Sequence, residues 1–97
     1  MIRHIAVFRF KSGTTDDEIS SLDRGLATLP GLIPEIRAYK FGRDLRVTEG
    51  TWDYTVAADF DNEDGLKIYA GHPDHVLVVE TIVKPLVDET VRIQISL

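Results

Sequence analysis

The sequence has no cysteine, and none of its apolar runs is longer than five residues. The absence of cysteine excludes disulfides, thiolate metal sites and a cysteine nucleophile. A membrane-spanning helix needs about 20 consecutive apolar residues, so the short runs predict no membrane span. The chemistry of this chain therefore depends on other side chains.

An excess of basic residues is also missing, because the formal net charge is −5. A protein that binds DNA or RNA usually presents a basic stripe to the phosphates. The nearest approach to such a stripe, residues 37–46, is diluted by Glu35, Asp44 and Glu49. We therefore expect no nucleic-acid partner.

What is present is typical of one soluble globular domain spanning residues 1–97, with 43% hydrophobic and 28% charged residues. The chain begins directly on a strand-like pattern at Ile2, without a signal-peptide region, so we expect a cytoplasmic location.

Periodicity predicts four strands and three helices. Alternation of apolar and polar residues indicates the strands. A capping box formed by Thr15 and Glu18 begins the first helix, Pro30 ends it, and Pro73 separates the second helix from the third. The predicted strands are 2–11, 35–42, 51–60 and 89–97, and the predicted helices are 15–30, 62–71 and 73–84.

The first and third strands suggest their own register. If they pair antiparallel with position numbers that sum to 62, Arg3 faces Asp59, and Arg9 faces Asp53. The other face of the pair then carries aromatic matches, among them Phe8–Tyr54 and Phe10–Trp52. Opposite charges and aromatic rings across two strands stabilise a sheet, so we predict this register.

The order β-α-β-β-α-β, with the last helix broken, predicts an α+β ferredoxin-like fold with a four-stranded antiparallel sheet and helices on one face. The opposite face would leave Ile5, Val7 and Ala57 in water. A symmetric homodimer that packs two sheets together would cover them.

The densest cluster of proton-handling residues surrounds Pro73. Tyr69 ends one helix, and His75 begins the next on an apolar stripe with Val79. His4 lies on the strand face that the helices should cover, as does Tyr54. Histidine titrates near neutral pH, and a Tyr–His pair can move a proton or polarise a carbonyl.

Other interpretations stay open. Histidines at helix starts often bind only a nearby carbonyl, and tyrosines often fill cores, so a purely structural network is the alternative. A metal at His72 and His75 lacks a third ligand of convincing spacing even with Asp74, so we expect no metal. No phosphate-binding loop or Ser-His-Asp sequence signature is visible.

The segments RHIAVFRFK, LATLPGLIPEI and WDYTVAADFDNEDGLKIYAGHPDH, with the closing strand, resemble the stress-responsive dimeric α/β-barrel (Dabb) family over essentially the whole chain. The most specific part is His4 combined with Tyr69-x-x-His72-Pro73-x-His75. The resemblance implies a ferredoxin-like protomer and a homodimer whose two sheets form a barrel.

At these positions the chain is similar to the plant olivetolic acid cyclase type of the family, which performs an aldol cyclisation. That similarity implies His75 as general base and Tyr69 as the group that polarises the substrate carbonyl, with His4 nearby. The cyclase has a further histidine where this chain has Tyr54. We expect Tyr54, Phe8 and Val79 to line the pocket.

The implied activity is acid–base catalysis, without a cofactor, on a small hydrophobic carbonyl or polyketide-like compound. The alternatives are a non-catalytic dimeric stress-related or ligand-binding protein, and a monooxygenase that uses only substrate and oxygen. In the non-catalytic protein these side chains would form a buried hydrogen-bond network, so His75→Ala would lower the stability by about 1–3 kcal/mol.

Overall fold

A computed structural model describes residues 1–97, and one antiparallel sheet with helices on one face accounts for most of them. The strands lie in the order β2-β3-β1-β4. They are β1 (Ile2–Phe10), β2 (Ala38–Arg43), β3 (Tyr54–Phe60) and β4 (Val87–Ser96). The helices are α1 (Asp16–Leu32), α2 (Glu63–Gly71), α3 (Pro73–Val78) and α4 (Lys84–Leu86), with a π-helical turn at Val79–Val83. The predicted α+β ferredoxin-like fold is confirmed.

Helix α1 begins as predicted but ends later. The Thr15 hydroxyl accepts a hydrogen bond from the Glu18 amide, and the Glu18 carboxylate accepts one from the Thr15 amide. Pro30 was expected to end the helix, yet α1 continues to Leu32. The end is held by Ile33, which is fully buried and donates its backbone N–H to the Leu29 carbonyl. Burial of this side chain offsets the hydrogen bond that a proline cannot form.

The predicted register between β1 and β3 is confirmed from Ile2–Phe60 to Phe8–Tyr54. Arg3 and Asp59 face each other and form a bidentate ion pair, with N–O distances of 2.7 and 2.9 Å. This geometry is the strongest form of an arginine–carboxylate contact. It fixes the pairing of the two strands at the end where β1 begins.

The last two predicted pairs are wrong, because β3 begins at Tyr54 and not at residue 51. Asp53 binds Arg46 in the preceding loop and accepts the Phe10 amide at 2.8 Å, so it does not pair with Arg9. Trp52 lies beneath the Arg9 guanidinium, 4.3 Å from the ring centroid, and so does not face Phe10. Because the Asp53 carboxylate binds a loop residue, β3 begins three residues later than predicted.

The third predicted helix, 73–84, is divided by the π-helical turn. Such a turn holds more residues than an α-helical turn and changes which side chains point inward. The buried positions are therefore Val78, Val83 and Leu86, while Val79 and Ile82 are only half-buried. The apolar stripe predicted from regular α-helical spacing was wrong in this detail.

The sheet face away from the helices, here called the open face, is apolar along β4. Val91 pairs with Val7, and Ile93 pairs with Ile5. The side chains of Val91, Ile93 and Ile95 are 51, 55 and 42% exposed. Aliphatic side chains on adjacent strands thus form a continuous exposed patch. None of the helices has the length and apolarity needed to cross a membrane.

Candidate active site

One row of the sheet forms the floor of the candidate site. Tyr39 of β2 pairs with Ala58 of β3, Ala58 pairs with His4 of β1, and His4 pairs with Gln94 of β4. Paired residues on neighbouring strands point to the same face. The small side chain of Ala58 lies between Tyr39 and His4, and of the residues in this row His4 is the one that lines a cavity.

Tyr69, on α2, lies above this row. Its side chain is buried, and its ring centroid lies 5.2 Å from that of Phe60 and 6.5 Å from that of His4. The hydroxyls of Tyr69 and Tyr39 are 2.8 Å apart and share a hydrogen bond. Burial raises the pKa of both phenols, so both keep their protons at neutral pH.

The proline-broken junction places His75 beside Tyr69. His72 ends α2, and its Nδ1 accepts the Asp74 amide at 3.1 Å, which makes it the N-cap of α3. Pro73 is the first residue of α3, a position where its missing N–H costs nothing. His75 follows, and its ring centroid lies 4.1 Å from that of Tyr69. The capping role of His72 is thus structural.

The two site histidines are bound in opposite ways. His75 Nδ1 lies 3.2 Å from the Ala70 carbonyl oxygen, which can only accept, so this nitrogen carries the proton and Nε2 has the free lone pair. His4 Nδ1 accepts from the Gln94 side-chain amide at 2.8 Å, so the His4 proton is on Nε2. One ring therefore offers a base and the other a donor.

The surroundings of both histidines lower the pKa of the ring and favour the neutral imidazole. Burial lowers the pKa of His4 below its usual range, and the nearby Arg92 and His75 lower it further. Burial also lowers the pKa of His75, and the positive charge of Arg92 adds to this, while the bond to Ala70 partly opposes it. A neutral imidazole is the form that can accept a proton.

A cavity of about 80 Å³ lies between β1, β3, β4 and the helices. All three predicted catalytic residues line it, as do two of the three predicted pocket residues, Phe8 and Val79. Tyr54 does not line this cavity and lies instead at a larger groove. It packs behind Phe8, and its hydroxyl donates to Asp23 of α1 at 2.5 Å. This contact holds the phenol against α1.

Sequence reasoning did not find three polar residues of the site, namely Tyr39, Gln94 and Arg92. Arg92 lines the cavity and pairs with Ala6 across the strands. Arg92 and Gln94 could have been predicted from the β1–β4 register, because this register places the polar residues of β4 on the helix side of the sheet. That register was not predicted, because the aliphatic residues of β4 suggested nothing about which face was covered.

One further surface lies away from the candidate site. A larger groove of about 620 Å³ involves the open face, with Val7, Trp52 and Val91 among its lining residues, and it contacts none of the three predicted catalytic residues. No group of three or more His, Cys, Asp or Glu side chains converges in a way that could hold a metal ion. The titratable side chains at the cavity are thus those of His4, Tyr69, His75 and Arg92.

Comparison with known proteins agrees with this architecture. The chain is 29% identical over 77 residues to the stress-response A/B barrel domain-containing protein HS1 of Arabidopsis thaliana, covering 77% of this chain and 71% of that protein. It resembles a dimeric ferredoxin-like protein of unknown function from Thermobifida fusca, with 41% identity and a TM-score of 0.91 over 99% of this chain and 90% of the other.

The hydroxynitrile lyase of Passiflora edulis has the same fold, with a TM-score of 0.83 at 18% identity over 97% of this chain and 90% of the enzyme. The family profile of the stress responsive A/B barrel domain matches residues 2–96. The chain therefore belongs to the stress responsive A/B barrel domain family.

Proposed function

We propose that this protein is an acid–base catalyst that removes a proton from the carbon next to a carbonyl group of a small molecule, without a cofactor. The observation that carries the proposal is the pair of histidines at one cavity, whose hydrogen bonds through Nδ1 favour a free lone pair on His75 Nε2 and a proton on His4 Nε2. Catalysis of this kind needs a base and a hydrogen-bond donor in the same small space.

In the proposed step, His75 Nε2 accepts the proton from the α-carbon. The electron pair of the broken C–H bond forms the carbon–carbon double bond of an enolate, and the carbonyl oxygen gains the negative charge. His75 becomes an imidazolium, which returns the proton when the enolate reacts. Cyclisation, isomerisation and lyase reactions can each follow from this intermediate.

Two groups are placed to stabilise the negative oxygen. His4 can donate from Nε2, since its Nδ1 is occupied by Gln94. Tyr69 can donate its hydroxyl proton when Tyr39 acts as the donor in the bond between the two phenols. Donors oriented before the reaction stabilise developing charge in the transition state. Their removal is expected to cost more than the loss of an ordinary surface hydrogen bond.

We further propose that the protein works as a homodimer joined through the open face. The exposed aliphatic side chains of β4 support this, because such a continuous patch is typical of an interface. The Thermobifida fusca relative is described as dimeric, which supports the same arrangement. The cavity lies on the opposite side of the sheet, so each protomer would keep its own site.

The direct test is exchange of α-hydrogens with deuterium in D₂O, followed by ¹H NMR for a panel of small ketones and oxo acids. The wild-type protein should accelerate exchange of at least one compound. His75→Gln should lower that rate by about 10²–10⁴-fold, the usual contribution of a general base. His72→Asn is the matched control, because asparagine preserves a helix N-cap and residue 72 does not line the cavity.

A second candidate is a non-catalytic dimeric ligand-binding or stress-related protein. It is favoured by the small volume of the cavity and by the internal partners of all three predicted catalytic side chains. This function predicts no exchange above buffer for any compound in the panel. It also predicts that His75→Gln lowers the free energy of unfolding, because the Ala70 carbonyl loses its donor.

A further inference from the structure

We propose that the site binds a substrate that carries a carboxylate as well as a carbonyl, and that Arg92 is the residue that recognises the carboxylate. The inference rests on the proposed function in that it takes the substrate to be a carbonyl compound in this cavity. It adds the chemical class of that substrate and a residue that determines specificity.

The first observation is that Arg92 has no partner. Five of the seven arginines form ion pairs with carboxylates, and Arg24 donates to the Ser21 hydroxyl. The five are Arg3, Arg9, Arg37, Arg43 and Arg46. Arg92 forms no ion pair and no side-chain hydrogen bond, although acidic residues outnumber basic ones by 16 to 11. The guanidinium of Arg92 is therefore free to bind an anion at the cavity.

The second observation is where this cation lies. Arg92 lines the same cavity as His4 and His75, and its charge affects both rings. The site therefore contains a permanent positive charge and no negative one. An anionic group on the ligand would neutralise that charge, and guanidinium binds a carboxylate through two parallel hydrogen bonds.

Strand order gives the ligand a direction. Arg92 is on β4, on one side of β1, whereas the hydroxyl pair of Tyr39 and Tyr69 lies toward β2, on the other side of β1. A ligand whose carboxylate binds Arg92 thus extends its carbonyl across His4 toward Tyr69, within reach of His75. Arg92 itself is exposed at the cavity, so the charged end stays near water.

A carboxylate fits better than a phosphate. A phosphate monoester carries nearly two charges and usually takes several donors, such as a glycine-rich loop or a helix N-terminus. Arg92 is the only Lys or Arg that lines this cavity, and no phosphate-binding loop is present in the sequence. The small volume of about 80 Å³ also favours a short oxo acid over a larger compound.

Binding can be measured without turnover by ¹H–¹⁵N NMR titration with 4-oxopentanoate and with 4-oxopentanamide, which is nearly the same shape but neutral. Wild-type protein should bind the acid at least about tenfold more tightly than the amide, as expected for a charged hydrogen-bonded pair. Arg92→Gln should abolish this preference, and Arg92→Lys should keep part of it. Arg24→Gln, an exposed arginine on α1 without an acidic partner, is the control and should behave like wild type.

No binding of 4-oxopentanoate by the wild-type protein, or an unchanged preference in Arg92→Gln, would overturn the inference. Failure of the proposed function gives a different result. If the acid preference depends on Arg92 but no compound exchanges its α-hydrogens, the carboxylate site stands and the catalytic proposal falls.

Discussion

The two faces of the sheet differ at the edge strand β4, where the usual placement of polar and apolar side chains is reversed. β4 directs the polar side chains of Arg92 and Gln94 toward the helices and the aliphatic side chains of Ile93 and Ile95 toward the open face. A strand that only completed a core would do the opposite. This contrast supports the proposed site on the helix side of β4 and the proposed interface on the open face.

A charge on the open face is expected to have the largest effect, because it would disrupt the proposed dimer interface. Ile93→Lys would place an unpaired ammonium in the proposed dimer contact, at a cost of about 3–5 kcal/mol for a buried charge without a partner. We expect a monomer by analytical ultracentrifugation. Ile68→Lys is the control, since Ile68 is similarly exposed at 50% but lies on α2. A dimer of unchanged affinity in Ile93→Lys would contradict the proposed interface.

A comparison of two tyrosine variants tests the proposed site on the helix side of the sheet. Tyr39→Phe removes the hydrogen bond to Tyr69, and Tyr54→Phe removes the bond to Asp23. Each should lower the free energy of unfolding in urea by about 1 kcal/mol. Only Tyr39→Phe should also slow α-hydrogen exchange, because Tyr39 binds Tyr69, which lines the cavity, whereas neither Tyr54 nor its partner Asp23 does. Equal exchange rates in the two variants would show that the phenol pair has a structural role alone.

The smallest expected effect is a dependence of stability on pH from the two site histidines. Their pKa values are lowered in the folded protein, whereas an unfolded histidine titrates near about 6.5. Between the folded and unfolded values the unfolded chain binds more protons, so the free energy of unfolding falls as pH decreases through about 6.5.

Urea unfolding at pH 7.5 and 5.5, at fixed protein concentration, measures this dependence. The decrease in stability should be smaller in the His4→Gln/His75→Gln double variant than in the wild type. His72→Asn, which alters the histidine that caps α3, is the comparison for a change outside the cavity. An equal decrease in the double variant and the wild type would mean that the site histidines are not held neutral by folding.

Local sequence rules predicted most of the fold. The β1–β3 register followed from matching charges and aromatic rings, and it held wherever both strands continued. It failed at Asp53 because the carboxylate of this residue binds Arg46 in the loop, so β3 begins only after Asp53. The alternation of residues in the strand does not predict that contact. The π-helical turn was equally invisible, since Val79 and Ile82 have ordinary α-helical spacing.

The site was predicted in part for the same reason. His4, Tyr69 and His75 could be placed from strand alternation and the proline-broken helix, and they do line one cavity. Gln94 and Arg92 required the β1–β4 register, which joins residues about 90 positions apart. Its matching charge pair, Arg9–Glu89, was not recognised because the sequence pattern matched Arg9 to Asp53 instead. These polar side chains indicate a site only once it is known that they point to the side of the sheet that carries the helices.

The proposed function requires that His75 and His4 are neutral at pH 7 and carry their protons on different nitrogens. Long-range ¹H–¹⁵N NMR spectra of the histidine rings distinguish the two tautomers from each other and from the imidazolium. We predict that His75 is protonated on Nδ1 and His4 on Nε2. A charged His75, or a His75 with its proton on Nε2, would contradict the proposed mechanism, because the cavity would then contain no base. A charged His4 would contradict the proposed neutral pair.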